Sequence, residues 1–109
     1  MVEAHGCDRA ALQDPACLRQ LFTQIIGDLS LHPVADAQWH KFAGEGGVTG
    51  VIMLSESHLT CHTFPEFGSL CLNLFCCRSR SGWDFEDGLR RQFGAEAVSV
   101  RRIDRPYHD

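Results

Sequence analysis

Val48-Thr49-Gly50-Val51-Ile52-Met53-Leu54 runs through Ser55-Glu56-Ser57 into His58-Leu59-Thr60-Cys61-His62-Thr63, with Phe64-Pro65-Glu66 beyond. Residues 48–54 are apolar or β-branched over most of their length and read as a strand; residues 58–63 read as another. A third run, residues 69–77, sets Leu70, Leu72 and Leu74 on one face and Cys71, Asn73, Phe75 and Cys77 on the other. Neither face of that strand is clearly polar, so both are expected to be covered. Between Leu54 and Glu66 the chain crowds carboxylates, hydroxyls, a thiol and two imidazoles together. Groups of that kind, framed by buried strands, read as a reactive centre.

Working outward, Asp14-Pro15 carries a helix-start signal: aspartate accepts from free N–H groups at the N-cap, and proline fits the first helical position. Leu18, Leu21, Phe22, Ile25, Ile26 and Leu29 then recur at helical spacing, which predicts a helix over residues 15–29 with one apolar face. Residues 2–6 predict a first strand ending at Gly6, and Val34 to Phe42 a strand of mixed polarity closed by Gly44-Glu45-Gly46-Gly47. Trp83 to Phe93 predicts a second helix stopped by Gly94, and Val98 and Val100 a last strand. The order β-α-β-β-β-β-α-β is that of an α+β fold, a two-layer sandwich of an antiparallel sheet with helices on one face. The other sheet face needs a cover, which a second subunit can supply.

A chain of 109 residues predicts a single domain with a small core, and 44% hydrophobic residues suffice for that core and an interface. The formal charge of −4 and the absence of a basic stripe argue against nucleic acid as a partner. Arg101, Arg102 and Arg105 are interrupted by Asp104 and read as a solvated strand edge. No leader and no membrane-length apolar run is visible. The six cysteines are therefore expected as free thiols in the cytoplasm.

Several chemistries are open to the central stretch. Ser57 can attack the carbonyl carbon of Glu56 if the turn is strained and the oxyanion is held. An N→O acyl shift gives an ester, and β-elimination then breaks the chain to leave dehydroalanine, which hydrolyses to a pyruvoyl group. Such an internal carbonyl forms a Schiff base with an amine and withdraws electrons. The steps need a hydroxyl and a base, and Thr49 and His62 are candidates. Alternatively, His58, Cys61 and His62 with Cys71, Cys76 and Cys77 offer zinc ligands. The paired Cys-x-x-Cys knuckles are absent, however, and strand alternation sets Cys61 opposite both histidines, so no metal site is expected. A Ser-His hydrolase lacks its Gly-x-Ser-x-Gly elbow. Cys76-Cys77 also reads as two small buried residues, and Ser57 as a serine in a turn.

The run Gly47-Val48-Thr49-Gly50-Val51 followed by Ser55-Glu56-Ser57-His58-Leu59-Thr60-Cys61-His62-Thr63-Phe64-Pro65-Glu66 resembles the prokaryotic S-adenosylmethionine decarboxylase proenzymes. The resemblance extends to His40-Lys41-Phe42 and to Asn73-Leu74-Phe75-Cys76-Cys77, with weaker similarity at Gly6-Cys7-Asp8 and the first helix. It implies a pyruvoyl-dependent enzyme that cleaves itself between Glu56 and Ser57, giving a β chain of residues 1–56 and an α chain of residues 57–109. By the same resemblance Ser57 becomes the pyruvoyl group, His62 takes the α-proton during processing, and Thr49 assists at the ester step where the family usually has serine. Cys77 falls on the catalytic acid, Glu66 on a ribose-binding glutamate, and Phe42 and Phe64 on aromatic positions that stack on adenine.

A thiol of ordinary pKa, about 8.5, is mostly protonated at neutral pH and suits an acid's role. Two phenyl faces suit a purine that carries a sulfonium charge. Ser57 and His62, five residues apart, face opposite ways on a regular strand, so a bend at Ser57 or its release as a new N-terminus must bring them together. Phe64 stands where tryptophan is common, and the loop at Gly44-Glu45-Gly46-Gly47 is one residue longer than usual. The implied activity is decarboxylation of S-adenosylmethionine to the aminopropyl donor for spermidine, by a homo-oligomer that stacks two sheets with active sites between them. The alternatives are a family member acting on ornithine or arginine, and an uncleaved, non-catalytic regulatory homologue.

Overall fold

The computed structural model describes residues 1–77 and 82–106. Six strands form one antiparallel sheet: β1 (Val2–His5), β2 (Gln38–Lys41), β3 (Val48–Leu54), β4 (Ser57–Phe64), β5 (Ser69–Cys76) and β6 (Ala97–Val100), in the order β2-β3-β4-β5-β1-β6. Three helices, α1 (Arg9–Leu12), α2 (Pro15–Asp28) and α3 (Phe85–Phe93), join the sheet in a common core. This is the expected α+β architecture of a sheet with helices on one face.

The period-2 pattern of the central strands decides which face is covered. Val48, Ile52 and Leu54 of β3, Leu59 and Cys61 of β4, and Leu70 and Leu72 of β5 are buried. They meet Leu18, Leu21, Phe22 and Ile25 of α2 and Leu89 and Phe93 of α3 in one core. Thr49, Val51, Met53, His58, Thr60, His62, Cys71 and Asn73 take the opposite parity, and none of them is buried. Within a single chain, then, the second face of β5 is open, with Cys71 and Asn73 exposed on the face for which a second subunit is the expected cover.

The start of α2 follows from its sequence. Asp14 is the N-cap and accepts from the Ala16 N–H at 2.9 Å, with Pro15 in the first turn. Strand β1, helix α2 and strand β5 each end one residue earlier than expected, and four further elements differ. The strand predicted over Val34–Phe42 shortens to Gln38–Lys41, because residues 33–34 peel off to pair with the end of β3 through Val34 N–H to Met53 O at 3.0 Å. The second helix begins at Phe85, capped by Asp84, rather than at Trp83. Helix α1 is one turn, too short to show a hydrophobic period. Strand β4 is longer than residues 58–63 by one residue at each end, so Ser57 belongs to it.

Gly50 has a steric reason to be glycine. A Cβ there would lie 2.3 Å from the Trp39 ring, which crosses from β2.

Candidate active site

Strands β3 and β4 form a hairpin in which Leu54 pairs with Ser57, leaving Ser55-Glu56 as a two-residue loop. Such loops favour turns with positive φ at their central residues, usually supplied by glycine or asparagine. Neither Ser55 nor Glu56 takes a positive φ here, and the left-handed excursion falls on Ser57 instead, at φ +153°. That is a region populated essentially by glycine, and a side chain held there costs of order 1–3 kcal/mol. The strain sits on the nitrogen side of the Glu56–Ser57 peptide bond.

The other side of that bond is held firmly. The Glu56 carbonyl accepts from the Cys77 N–H at 2.8 Å. An N–H aimed at a carbonyl oxygen polarises it and is placed to hold charge that develops there on nucleophilic attack. Glu56 is 5% exposed, and its carboxylate takes two hydrogen bonds from His32: backbone N–H to Oε1 at 3.0 Å and Nδ1–H to Oε2 at 2.6 Å. The Ser55 hydroxyl adds a contact to Oε1 at 3.3 Å. The bonds from His32 hold the Glu56 carboxyl down to about 2, against the opposing effect of burial. Ser57 Oγ lies 2.9 Å from His58 Nδ1, and the His58 ring stacks on Phe75 at a centroid distance of 5.6 Å.

A second cluster occupies the far end of the same strands. Register pairs Thr49 with His62, and His62 with Cys71. Thr49 Oγ1 is 2.6 Å from His62 Nδ1, so the hydroxyl donates to a bare Nδ1 or accepts from a protonated one. Phe64 and Phe42 flank the imidazole edge-on at centroid distances of 4.5 and 5.8 Å, and His40 meets Phe42 at 4.6 Å. The imidazole therefore lies against both phenyl rings in the single chain. Glu66 follows, itself exposed, on the 3-10 turn Pro65–Phe67, whose Pro65 is buried.

The candidate residues thus separate into two groups. Glu56, Ser57 and Cys77 meet at one end of the β3-β4-β5 ladder; Thr49, His62, Phe42 and Phe64 meet at the other. Five residues of strand separate Ser57 from His62, about 17 Å at the ordinary rise. The bend at Ser57 is present, but it does not bring the two side chains together within one chain.

Two residues beside the Glu56–Ser57 bond escape sequence reasoning. His58 is visible in the stretch but without a role, and it proves to be the imidazole against the Ser57 hydroxyl. His32, 24 residues upstream of Glu56, carries no local signal at all. Cys61, equally prominent in the sequence, is buried on the helix side, and burial pushes its thiol up to about 12. Among the described residues no cluster of three or more His, Cys, Asp or Glu is placed to hold a metal ion. The six cysteines carry no disulfide.

A family model described as S-adenosylmethionine decarboxylase matches residues 1–106. The S-adenosylmethionine decarboxylase proenzyme of Clostridium tetani is 32% identical over 109 residues, covering 96% of this chain and 82% of the relative. The proenzyme of Acetivibrio thermocellus is 33% identical, with 96% and 84% covered. The crystal structure of the adenosylmethionine decarboxylase from Aquifex aeolicus superposes with a TM-score of 0.69 over 99% of this chain and 91% of that one, and at 19% identity it supports the fold alone. With the hairpin, the strained Ser57 and the held Glu56 carbonyl in view, the sequence matches decide the kinship: the chain belongs to the S-adenosylmethionine decarboxylase family.

Proposed function

We propose that this chain is a self-cleaving, pyruvoyl-dependent decarboxylase of S-adenosylmethionine, the activity named for its relatives. The observation that carries the maturation step is the scissile bond itself: a glycine-type φ at Ser57 and an N–H already donated to the Glu56 carbonyl. Oγ of Ser57 attacks the Glu56 carbonyl carbon while the Cys77 N–H stabilises the oxyanion. The C–N bond then breaks, leaving Glu56 esterified to Ser57 and a free amine. His58 is in place to accept the hydroxyl proton when its Nδ1 is bare.

In the second step a base removes the Ser57 α-proton and the Cβ–O bond breaks. Glu56 leaves as a carboxylate, a β chain of residues 1–56 results, and the α chain begins at residue 57. The dehydroalanine left behind tautomerises to an imine, and water displaces ammonia; no oxidant or reductant is needed. His62, its Nδ1 paired with Thr49 Oγ1, is assigned as the base for the α-proton.

The pyruvoyl group made from Ser57 supplies an electron-withdrawing carbonyl to the substrate amine once it is in place. The residues present fit that group: Ser57 is only half-buried at the start of β4, and Cys77, exposed just beyond β5, follows directly on Cys76, the strand partner of Ser57. In turnover Cys77 is the proton donor, Glu66 takes the ribose hydroxyls, and Phe42 and Phe64 offer ring faces to the adenine. Thr49 and His62 lie too far from Ser57 to serve it within one chain. The assembly that reconciles these positions is a homodimer with the two open sheet faces together, so that His62 of one copy serves Ser57 of the other. Val51 and Met53, 39% and 61% exposed on that face, are the apolar surface such a dimer covers. Free thiols and the absence, among the described residues, of any helix long and apolar enough to cross a membrane fit action in the cytoplasm.

Intact-mass analysis of the purified protein tests the reading. Two fragments split before Ser57, the second carrying a pyruvoyl end, are expected, and a full-length chain stable for hours overturns it. CO2 release from S-adenosylmethionine, set beside ornithine and arginine, then tests the substrate.

A further inference from the structure

His32 lies outside every strand and helix, on the segment between α2 and β2. Its backbone and side chain nevertheless make three hydrogen bonds to the two-residue turn that ends in the scissile bond. The Ser55 N–H donates to His32 O at 2.8 Å, the His32 N–H donates to Glu56 Oε1 at 3.0 Å, and Nδ1–H donates to Glu56 Oε2 at 2.6 Å. Next to it, Pro33 bridges to Leu54, which anchors the segment to the end of β3. We propose that His32 is a positioning residue for self-cleavage, fixing the acyl half of the Glu56–Ser57 bond so that the backbone strain remains on Ser57. This rests on the self-cleavage reading above.

A serine keeps a glycine-type φ only where its surroundings over-determine the backbone. On the amine side the β4–β5 ladder does this through the pairing of Ser57 with Cys76. On the acyl side the Cys77 N–H fixes only the carbonyl oxygen, about which the peptide plane can still swing. The second fixed point is the Glu56 carboxylate, and His32 supplies it. Without that anchor the glycine-free turn can relax, and Ser57 can return to an ordinary φ with its hydroxyl turned from the carbonyl carbon. His32 touches neither the nucleophile nor the carbonyl, so it acts through Glu56.

The test follows first-order cleavage of the full chain by intact mass after synthesis in a cell-free system. Wild type is compared with His32→Ala, His32→Asn, Glu56→Ala and the double variant His32→Ala/Glu56→Ala. Loss of a charge-assisted hydrogen bond from the cleavage-competent geometry is expected to slow His32→Ala by about tenfold or more. Asparagine places an amide N–H where the imidazole has Nδ1–H, so His32→Asn is expected to stay within about threefold of wild type. In the Glu56→Ala background, His32→Ala is expected to add nothing, as for two residues acting through one contact.

A wild-type chain that never cleaves overturns the self-cleavage reading and this proposal with it. Wild type that cleaves while His32→Ala keeps pace overturns the proposal alone. So does an asparagine variant as slow as alanine, or slowing that adds in full to that of Glu56→Ala. Circular dichroism of His32→Ala in an uncleavable Ser57→Ala background shows whether that variant folds. If it does not, the asparagine and Glu56→Ala rates decide, both near wild type overturning the proposal and a slow Glu56→Ala with a rescued asparagine supporting it.

Discussion

Ser57 combines the proposed nucleophile with a backbone angle that its side chain disfavours, and the two effects can be separated. Replacing it by alanine removes the hydroxyl and keeps the Cβ at φ +153°, whereas glycine removes both. Both variants should remain as single chains. Ser57→Gly should be the more stable by about 1–3 kcal/mol, the order of cost of a strained residue, and thermal melting of the two proteins measures the difference. Equal melting temperatures would mean that Ser57 stores nothing. Glu56 carries its own signature in acid. Its carboxyl titrates at about 2 in the folded chain against an ordinary 4.5, because His32 donates to both oxygens. A depressed folded pKa contributes stability that is complete above the unfolded value and is lost as the pH falls from about 4.5 toward 2. In a Ser57→Ala background, the urea midpoint should therefore exceed that of the added Glu56→Gln variant at pH 6. The gap should close on acidification through that window.

At the scale of elements, what the sequence reveals depends on whether a pattern is local. The face of α2 is legible because Leu18, Leu21, Phe22 and Ile25 recur at helical spacing and all four are buried. The alternation of Leu70, Leu72 and Leu74 against Cys71 and Asn73 is legible for the same reason. Helix α1 is not, since four residues cannot display a period, and the edge strand β2 is overextended because mixed polarity at an edge looks the same paired or unpaired. The reactive residue types at the site are legible too, but their grouping is not. Register decides that Thr49 meets His62, and a tertiary contact decides that His32 meets Glu56. Thr63 shows how such non-local contacts carry stability. Its buried hydroxyl accepts from the Val48 N–H at 2.8 Å and donates to Leu12 O at 2.7 Å, tying α1 to the hairpin. Thr63→Val fills the same space but leaves a buried N–H and a buried carbonyl unpaired. It should cost about 1–3 kcal/mol, a fall of roughly 5–15 °C in Tm for a domain of this size, read by calorimetry.

At the scale of the whole molecule the division of the site has a consequence that a one-chain site does not share. Ser57 and Cys77 lie at one end of the central ladder, and Thr49 and His62 at the other, about 17 Å away along β4. In the proposed homodimer, a two-fold axis running across the strands brings each end of one chain to the opposite end of its partner, so such a dimer would hold two composite sites. Consider a chain carrying His62→Ala paired with one carrying Cys77→Ala. One site of that heterodimer receives intact Ser57 and Cys77 from the first chain and intact His62 and Thr49 from the second; the other site receives both defects. Random pairing makes half of the dimers mixed, each with one whole site, so co-expression should restore about a quarter of the wild-type decarboxylation per chain. Each variant alone should be nearly inactive. If both sets of residues instead served the same chain, every site would carry one defect and co-expression would restore nothing. The two outcomes are far enough apart to be read from CO2 release alone, with gel filtration of the mixture confirming that dimers form.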